Sequence, residues 1–170
     1  IDPTKITWLE VRRQLFSTLL GSLGRADHEA RSHELAELYR RERNTDIPLI
    51  SGARETLDRL HGRFKLGWVT NGNDLPDRAG LAHYFDVVVT PDRLGHAKPD
   101  PTVFEHVAAA TGCDLTAILH VGDSLSSDVA GAKAAGCAAI WFNRAGLPNE
   151  TAHVPDAEIR HLTEVLALVG

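Results

Sequence analysis

The chain of 170 residues contains no methionine, only two cysteines, and aromatic side chains at 6% of positions. Cys113 and Cys137 stand without a CxxC spacing and do not suggest a disulfide framework, so a reducing cytoplasm is the expectation. No apolar run approaches the roughly 18 residues that span a bilayer, so a membrane role is not expected. Basic charge is also short. Eighteen Lys and Arg against 23 Asp and Glu leave a net charge of −5, which argues against a nucleic-acid partner. The densest basic cluster, Arg40, Arg41 and Arg43, is broken by Glu42 and reads as a solvated helix end. What remains, 43% hydrophobic and 24% charged residues, is the composition of a globular protein with one core and room for a small accessory unit.

Two regions of different character follow one another. Residues 1–46 read as a helical hairpin. Asp2-Pro3 is a start signal. Ile6, Leu9, Phe16, Leu20 and Leu23 recur at helical spacing, and Leu35, Leu38 and Tyr39 form the stripe of a second helix over 27–43. A boundary is expected near residues 45–49. Beyond it, apolar runs at 65–70, 86–90, 117–121 and 138–142 alternate with helical patterns at 51–61, 100–111, 126–135 and 161–169. Near-continuous apolar strands alternating with helices predict an α/β fold, a parallel sheet with helices on both faces. Trp68 and Trp141 fall in strands and are expected in the core, whereas Trp8 on the first helix is a candidate for substrate contact.

Ligands of open α/β sheets bind outside the carboxyl ends of the strands, and polar residues gather there. After the first strand, Thr70 offers a hydroxyl, and Asn71-Gly72-Asn73 either presents backbone N–H groups to an anion or is simply a turn. Lys98, flanked by Pro99, can place a positive charge on a phosphate oxygen. Gly122-Asp123 closes the strand at 117–121, and Asp128 follows at a helix start; together the carboxylates suit a hard cation such as magnesium. A carboxylate directly after a buried strand is costly without a partner. His120, inside the strand, reads as a core or supporting residue; His83, His96 and His106 read as surface or packing residues.

The runs LGWVTNGN, LGHAKPDP and ILHVGDSLSSDVAGAKAAG, carrying Thr70-Asn71, Lys98-Pro99, Gly122-Asp123 and Asp128, resemble the second, third and fourth motifs of the haloacid dehalogenase superfamily of hydrolases. The wording is most similar to the helical-cap subfamily, among phosphatases of flavin mononucleotide, sugar phosphates or nucleotides. The resemblance implies a Rossmann-like core over 47–170 and a partial helical cap over 1–46. It implies that Thr70, Asn71 and Lys98 bind phosphate, that Asp123 and Asp128 serve magnesium, and that Asp128 acts through a metal-bound water or by orienting Lys98. Thr70, Lys98 and Asp123 would be the catalytic residues present. The implied reaction is hydrolysis of a small phosphorylated metabolite through an aspartyl-phosphate.

One part has no match. The family's first motif, Asp-x-Asp-x-Thr on a central strand, supplies the nucleophile, and nothing in this sequence corresponds to it. With Ile1 at the first position and no methionine, the expectation is that the first strand lies outside this chain, which alone would be inactive and poorly stable. Two alternatives stand beside the magnesium-dependent phosphatase. A 2-haloacid dehalogenase shares the aspartate chemistry, but that branch typically has Ser where Asp123 stands and needs no metal. A catalytically inactive binding module accounts for the unmatched nucleophile but gives no reason for Thr70, Lys98, Asp123 and Asp128 together. A phosphomutase would use the same motifs.

Overall fold

The structure is a computed structural model and describes residues 8–42, 48–72 and 74–170. The start signal at Asp2-Pro3, Ile6, the Trp8 side chain and Asn73 lie outside the described residues, as does most of the expected boundary at 45–49.

Two helices come first, α1 (Trp8–Ser22) and α2 (His28–Glu42), packed on each other as a hairpin. The apolar stripes expected from spacing are only partly used. Leu9, Phe16, Leu20 and Leu35 are half-buried, but Leu23, Leu38 and Tyr39 are exposed, and the buried residues are Ser17, Ser32 and Ala36. Small side chains at a helix contact set how closely the axes approach. The polar ones remain satisfied: Ser17 Oγ donates to Glu29 at 2.7 Å, and Ser32 Oγ donates to the Glu29 carbonyl at 2.7 Å.

The remainder alternates helix and strand. It runs α3 (Ala53–Leu60), β1 (Gly67–Val69), β2 (Val87–Val89), α4 (Pro91–Leu94), α5 (Thr102–Thr111), β3 (Leu119–Gly122), α6 (Ala130–Ala134), β4 (Ala138–Phe142), β5 (Ala157–Ile159) and α7 (Val165–Leu168). Every strand pairing is parallel, as the apolar runs predict. The single sheet expected from the sequence is two sheets among the described residues, β1-β2 and β3-β4-β5. The second edges of β1 and β3 pair with no described strand. Strand β5 was not expected: Ala157-Glu158-Ile159 is too short to show a period, and it becomes a strand by pairing with β4.

Side chains of β4 alternate between two cores. Ala139 and Trp141 join Val89, Phe104, Val107 and Val129 in a cluster that runs beneath both sheets. Ile140 and Phe142 point to the opposite face, against Ile159 and Val165. Phe104, on α5, is 1% exposed and meets the His120 ring edge-to-face at 5.1 Å. Gly131 packs so closely that an added Cβ would lie 2.8 Å from the Pro99 Cα and 3.0 Å from the Phe104 ring. The expected helix over 126–135 is a wide π-type turn at Leu125–Val129 that runs directly into α6. Phe104→Ala is expected to lower stability by about 3–5 kcal/mol, read by urea denaturation, because it empties the centre of the shared core.

Candidate active site

Thr70 and Asn71 follow β1, Asp123 follows β3, and Asp128 sits in the turn at Leu125–Val129. Lys98 lies in the loop between α4 and α5, and its side chain reaches across to both strand ends. Its Nζ donates to the Asp128 carboxylate at 2.6 Å and to the Val69 carbonyl, the end of β1, at 3.0 Å. The pair is buried, with side chains 8% and 6% exposed. Asn71 fixes the lysine from behind. Its Nδ2 donates to the Lys98 carbonyl at 2.7 Å, and its Oδ1 accepts the Lys98 N–H at 2.8 Å. The peptide bond between Lys98 and Pro99 is cis.

Asp128 is held on several sides. Oδ1 also meets His120 Nε2 at 3.0 Å, and Oδ2 accepts the Ser124 N–H at 2.9 Å. Burial pushes this carboxyl up, but hydrogen bonds from His120 and Lys98, the lysine charge and the Ser124 amide outweigh it and hold the group well below the usual carboxylate range. The carboxylate crosses directly over Gly122, where an added Cβ would lie 2.2 Å from Asp128 Cγ. Glycine at 122 is thus a space requirement, a role its place in the motif did not disclose. His120, read as a core or supporting residue, is a direct partner of Asp128.

The other expected residues are placed differently. Thr70 is half-buried, and its Oγ1 accepts the Gly72 N–H at 2.9 Å, which shapes the turn after β1. Asp123 is exposed at the end of β3, and its carboxylate has no partner among the described residues. Its backbone is anchored through its carbonyl, which accepts Trp141 Nε1 at 3.0 Å. Trp141 is thus core, as expected; Trp68 is half-buried and donates to the Asp74 carbonyl. A free carboxylate at a strand end fits magnesium as one oxygen ligand, leaving the other positions to water and phosphate. Among the described residues no three His, Cys, Asp or Glu side chains converge into a metal cluster. Asp128, with both oxygens engaged, has little capacity left to ligate. His83, His96 and His106 are exposed. Cys113 and Cys137 are free, and burial pushes the Cys137 thiol up.

Beside Asp123 lies an open depression of about 360 Å³ lined by Ile50, Gly122, Asp123, Phe142 and Arg144. Arg144 was not singled out by the sequence, because an arginine in a loop carries no local signature; only the pairing of β3 with β4 brings it to Asp123.

This chain belongs to the haloacid dehalogenase-like hydrolases, whose family profile matches residues 5–136. It is 36% identical over 162 residues to a phosphoserine phosphatase of Thermus thermophilus, a match covering 91% of this chain and 63% of that protein. It thus spans less than two thirds of that relative's length. The crystal structure of a 2-haloacid dehalogenase from Pseudomonas syringae is similar at TM-score 0.83 and 35% identity, over 99% of this chain and 76% of that one. The HAD-hydrolase YfnB of Bacillus subtilis, in a magnesium-bound crystal form, is similar at TM-score 0.78 and 30% identity, over 98% and 74% of the two chains. The Rossmann-like α/β fold and membership of this hydrolase family follow.

The depressed Asp128 pKa has a consequence for acid stability. The unfolded carboxyl takes up its proton near 3.8, whereas the folded one resists protonation to lower pH. The stabilisation is therefore complete above the unfolded value and is lost as pH falls below it. Urea denaturation at successive pH values from 6 to about 3 should show stability falling on the acid side. In Asp128→Asn that slope should be shallower, because one depressed carboxyl is gone.

Proposed function

We propose that this chain is the substrate-activating part of a magnesium-dependent phosphomonoesterase acting on small phosphorylated metabolites. The observation that carries the reading is the buried Lys98 ammonium, held between the Val69 carbonyl and Asp128 at the carboxyl ends of β1 and β3. A fixed, desolvated cation at that edge is suited to neutralise phosphoryl oxygens in the transition state, and positioning with charge neutralisation is most of phosphoryl-transfer catalysis. Thr70 Oγ1, placed after β1, would donate to a phosphoryl oxygen, and Asn71 would act by clamping the Lys98 backbone. Asp128 would orient Lys98. Asp123 would hold magnesium, which when bound supplies charge to balance the phosphate.

The nucleophile would be an aspartate on a strand seated between β1 and β3, whose second edges pair with no described strand. That carboxylate would attack phosphorus to give an aspartyl-phosphate, later hydrolysed by water. Residues 1–46 would form part of a cap and 47–170 the core. The phosphoserine phosphatase relative supports this reading.

A dehalogenase reading is favoured by one observation, the likeness to the Pseudomonas syringae 2-haloacid dehalogenase. The exposed carboxylate of Asp123, at a position where that branch typically carries serine, favours the phosphatase.

The intact protein is expected to release phosphate from small phosphomonoesters with magnesium and to stop on addition of EDTA. Chloride release from 2-chloropropionate that is indifferent to EDTA would sink the phosphatase in favour of the dehalogenase. Asp123→Asn should lower turnover at limiting magnesium by about tenfold or more and recover in part when magnesium is raised. Lys98→Ala should lose about 10²–10³-fold in kcat, as when a preorganised transition-state donor is removed; near-normal hydrolysis would refute its role.

A further inference from the structure

We propose that Arg144 is a specificity residue of this site that receives a carboxylate on the leaving-group side of the phosphomonoester. The proposal rests on the phosphomonoesterase reading above. Arg144 stands two residues past the end of β4, the neighbour of β3, and lines the same depression as Asp123. Its guanidinium is exposed and makes no hydrogen bond or ion pair with any described residue, Asp123 included. The side chain is therefore not spent on holding its loop.

Other residues hold that loop. Asn143 is 4% exposed; its Nδ2 donates to the Leu147 carbonyl and to Glu158 Oε1, both at 2.8 Å, and its Oδ1 accepts the Leu147 N–H at 2.9 Å. The Asn143 N–H donates to the Ile159 carbonyl at 2.8 Å, tying the loop to β5. Gly146, at φ 66°, lies under the Arg160 guanidinium, where an added Cβ would come within 3.0–3.2 Å of its carbon and both terminal nitrogens. The Arg144 backbone is thus fixed while its side chain stays available, which lowers the entropy lost on binding.

The depression contains a carboxylate, a guanidinium and an apolar wall of Ile50 and Phe142. Gly122, which also lines it, packs on Asp128, the partner of Lys98. A phosphoryl group bound by Lys98 and by the magnesium that Asp123 would hold would leave a short carbon chain against Ile50 and a terminal group facing Arg144. A planar guanidinium with a fork of donors matches a carboxylate in charge and geometry. The volume suits a small metabolite.

Isothermal titration of the intact protein with phosphoglycolate, and with ethyl phosphate in which a methyl replaces the carboxylate, tests this directly. The protein is expected to bind phosphoglycolate more tightly by about tenfold or more. Arg144→Ala should bring the two affinities within about twofold, with the loss concentrated on phosphoglycolate, and Arg144→Lys should retain part of the preference. No preference in the unsubstituted protein, a preference that survives Arg144→Ala, or equal weakening of both ligands would each overturn the assignment. Phosphate release, measured separately, judges the phosphatase reading: binding selectivity lost with Arg144 in a protein that never hydrolyses either ester would sink that reading and keep the carboxylate site.

Discussion

The ion pair between Lys98 and Asp128 is the constraint on which the rest of the site depends. An ammonium and a carboxylate are both buried, and neither charge would be tolerated there alone. Their contact obliges four separate pieces of chain to meet: the end of β1 through the Val69 carbonyl, the loop carrying Lys98, strand β3 through His120, and the turn at Leu125–Val129. Each neighbour is shaped to permit it. Gly122 leaves room for the Asp128 carboxylate, Gly131 lets α6 approach Pro99, and Asn71 grips both backbone groups of Lys98. A pair of this kind contributes more to a defined arrangement than to net stability, because its desolvation offsets much of its attraction.

The two sheets explain why this arrangement matters. Strands β1 and β3 each pair on one edge only among the described residues, so no ladder of hydrogen bonds joins them directly. What joins them is the shared core beneath, with Phe104 and Val107 against Val89 and Trp141, and above it the bridge of Lys98. The side chain proposed to meet the phosphate is thus also the one that bridges the two sheets. The carboxyl edge is also divided by charge. Lys98 and Asp128 form a buried ion pair, while Asp123 and Arg144 are exposed and make no hydrogen bond or ion pair with described residues.

Much of this was legible in the sequence, for local reasons. Strand β4 is a continuous apolar run and was located at its observed residues, and α2, α5 and the first three strands were read to within a few positions. Thr70, Asn71 and Asp123 were legible as strand-end residues because each adjoins such a run, whereas the meeting of Lys98 with Asp128 joins positions 30 residues apart. Less legible were features whose cause lies elsewhere in the chain. Strand β5 exists only against β4. The hairpin of α1 and α2 buries Ser17, Ser32 and Ala36 instead of Leu23, Leu38 and Tyr39, since a close helix contact selects small side chains and spacing cannot show which face will be used. The Asn71 side chain clamps the Lys98 backbone across 27 positions, a contact with no local sign in the sequence.

The sequence by itself determined the α/β class, the order of the elements and the polar residues at the strand ends, because hydrophobic period and strand-end polarity are properties of neighbouring residues. Only the tertiary structure decided what those residues do to one another. It made Asp128 the buried partner of Lys98 and His120, left Asp123 exposed, and brought Arg144 beside it. These outcomes depend on burial and on contacts between positions tens of residues apart, and no local pattern encodes the dielectric or the partner that a charge will find.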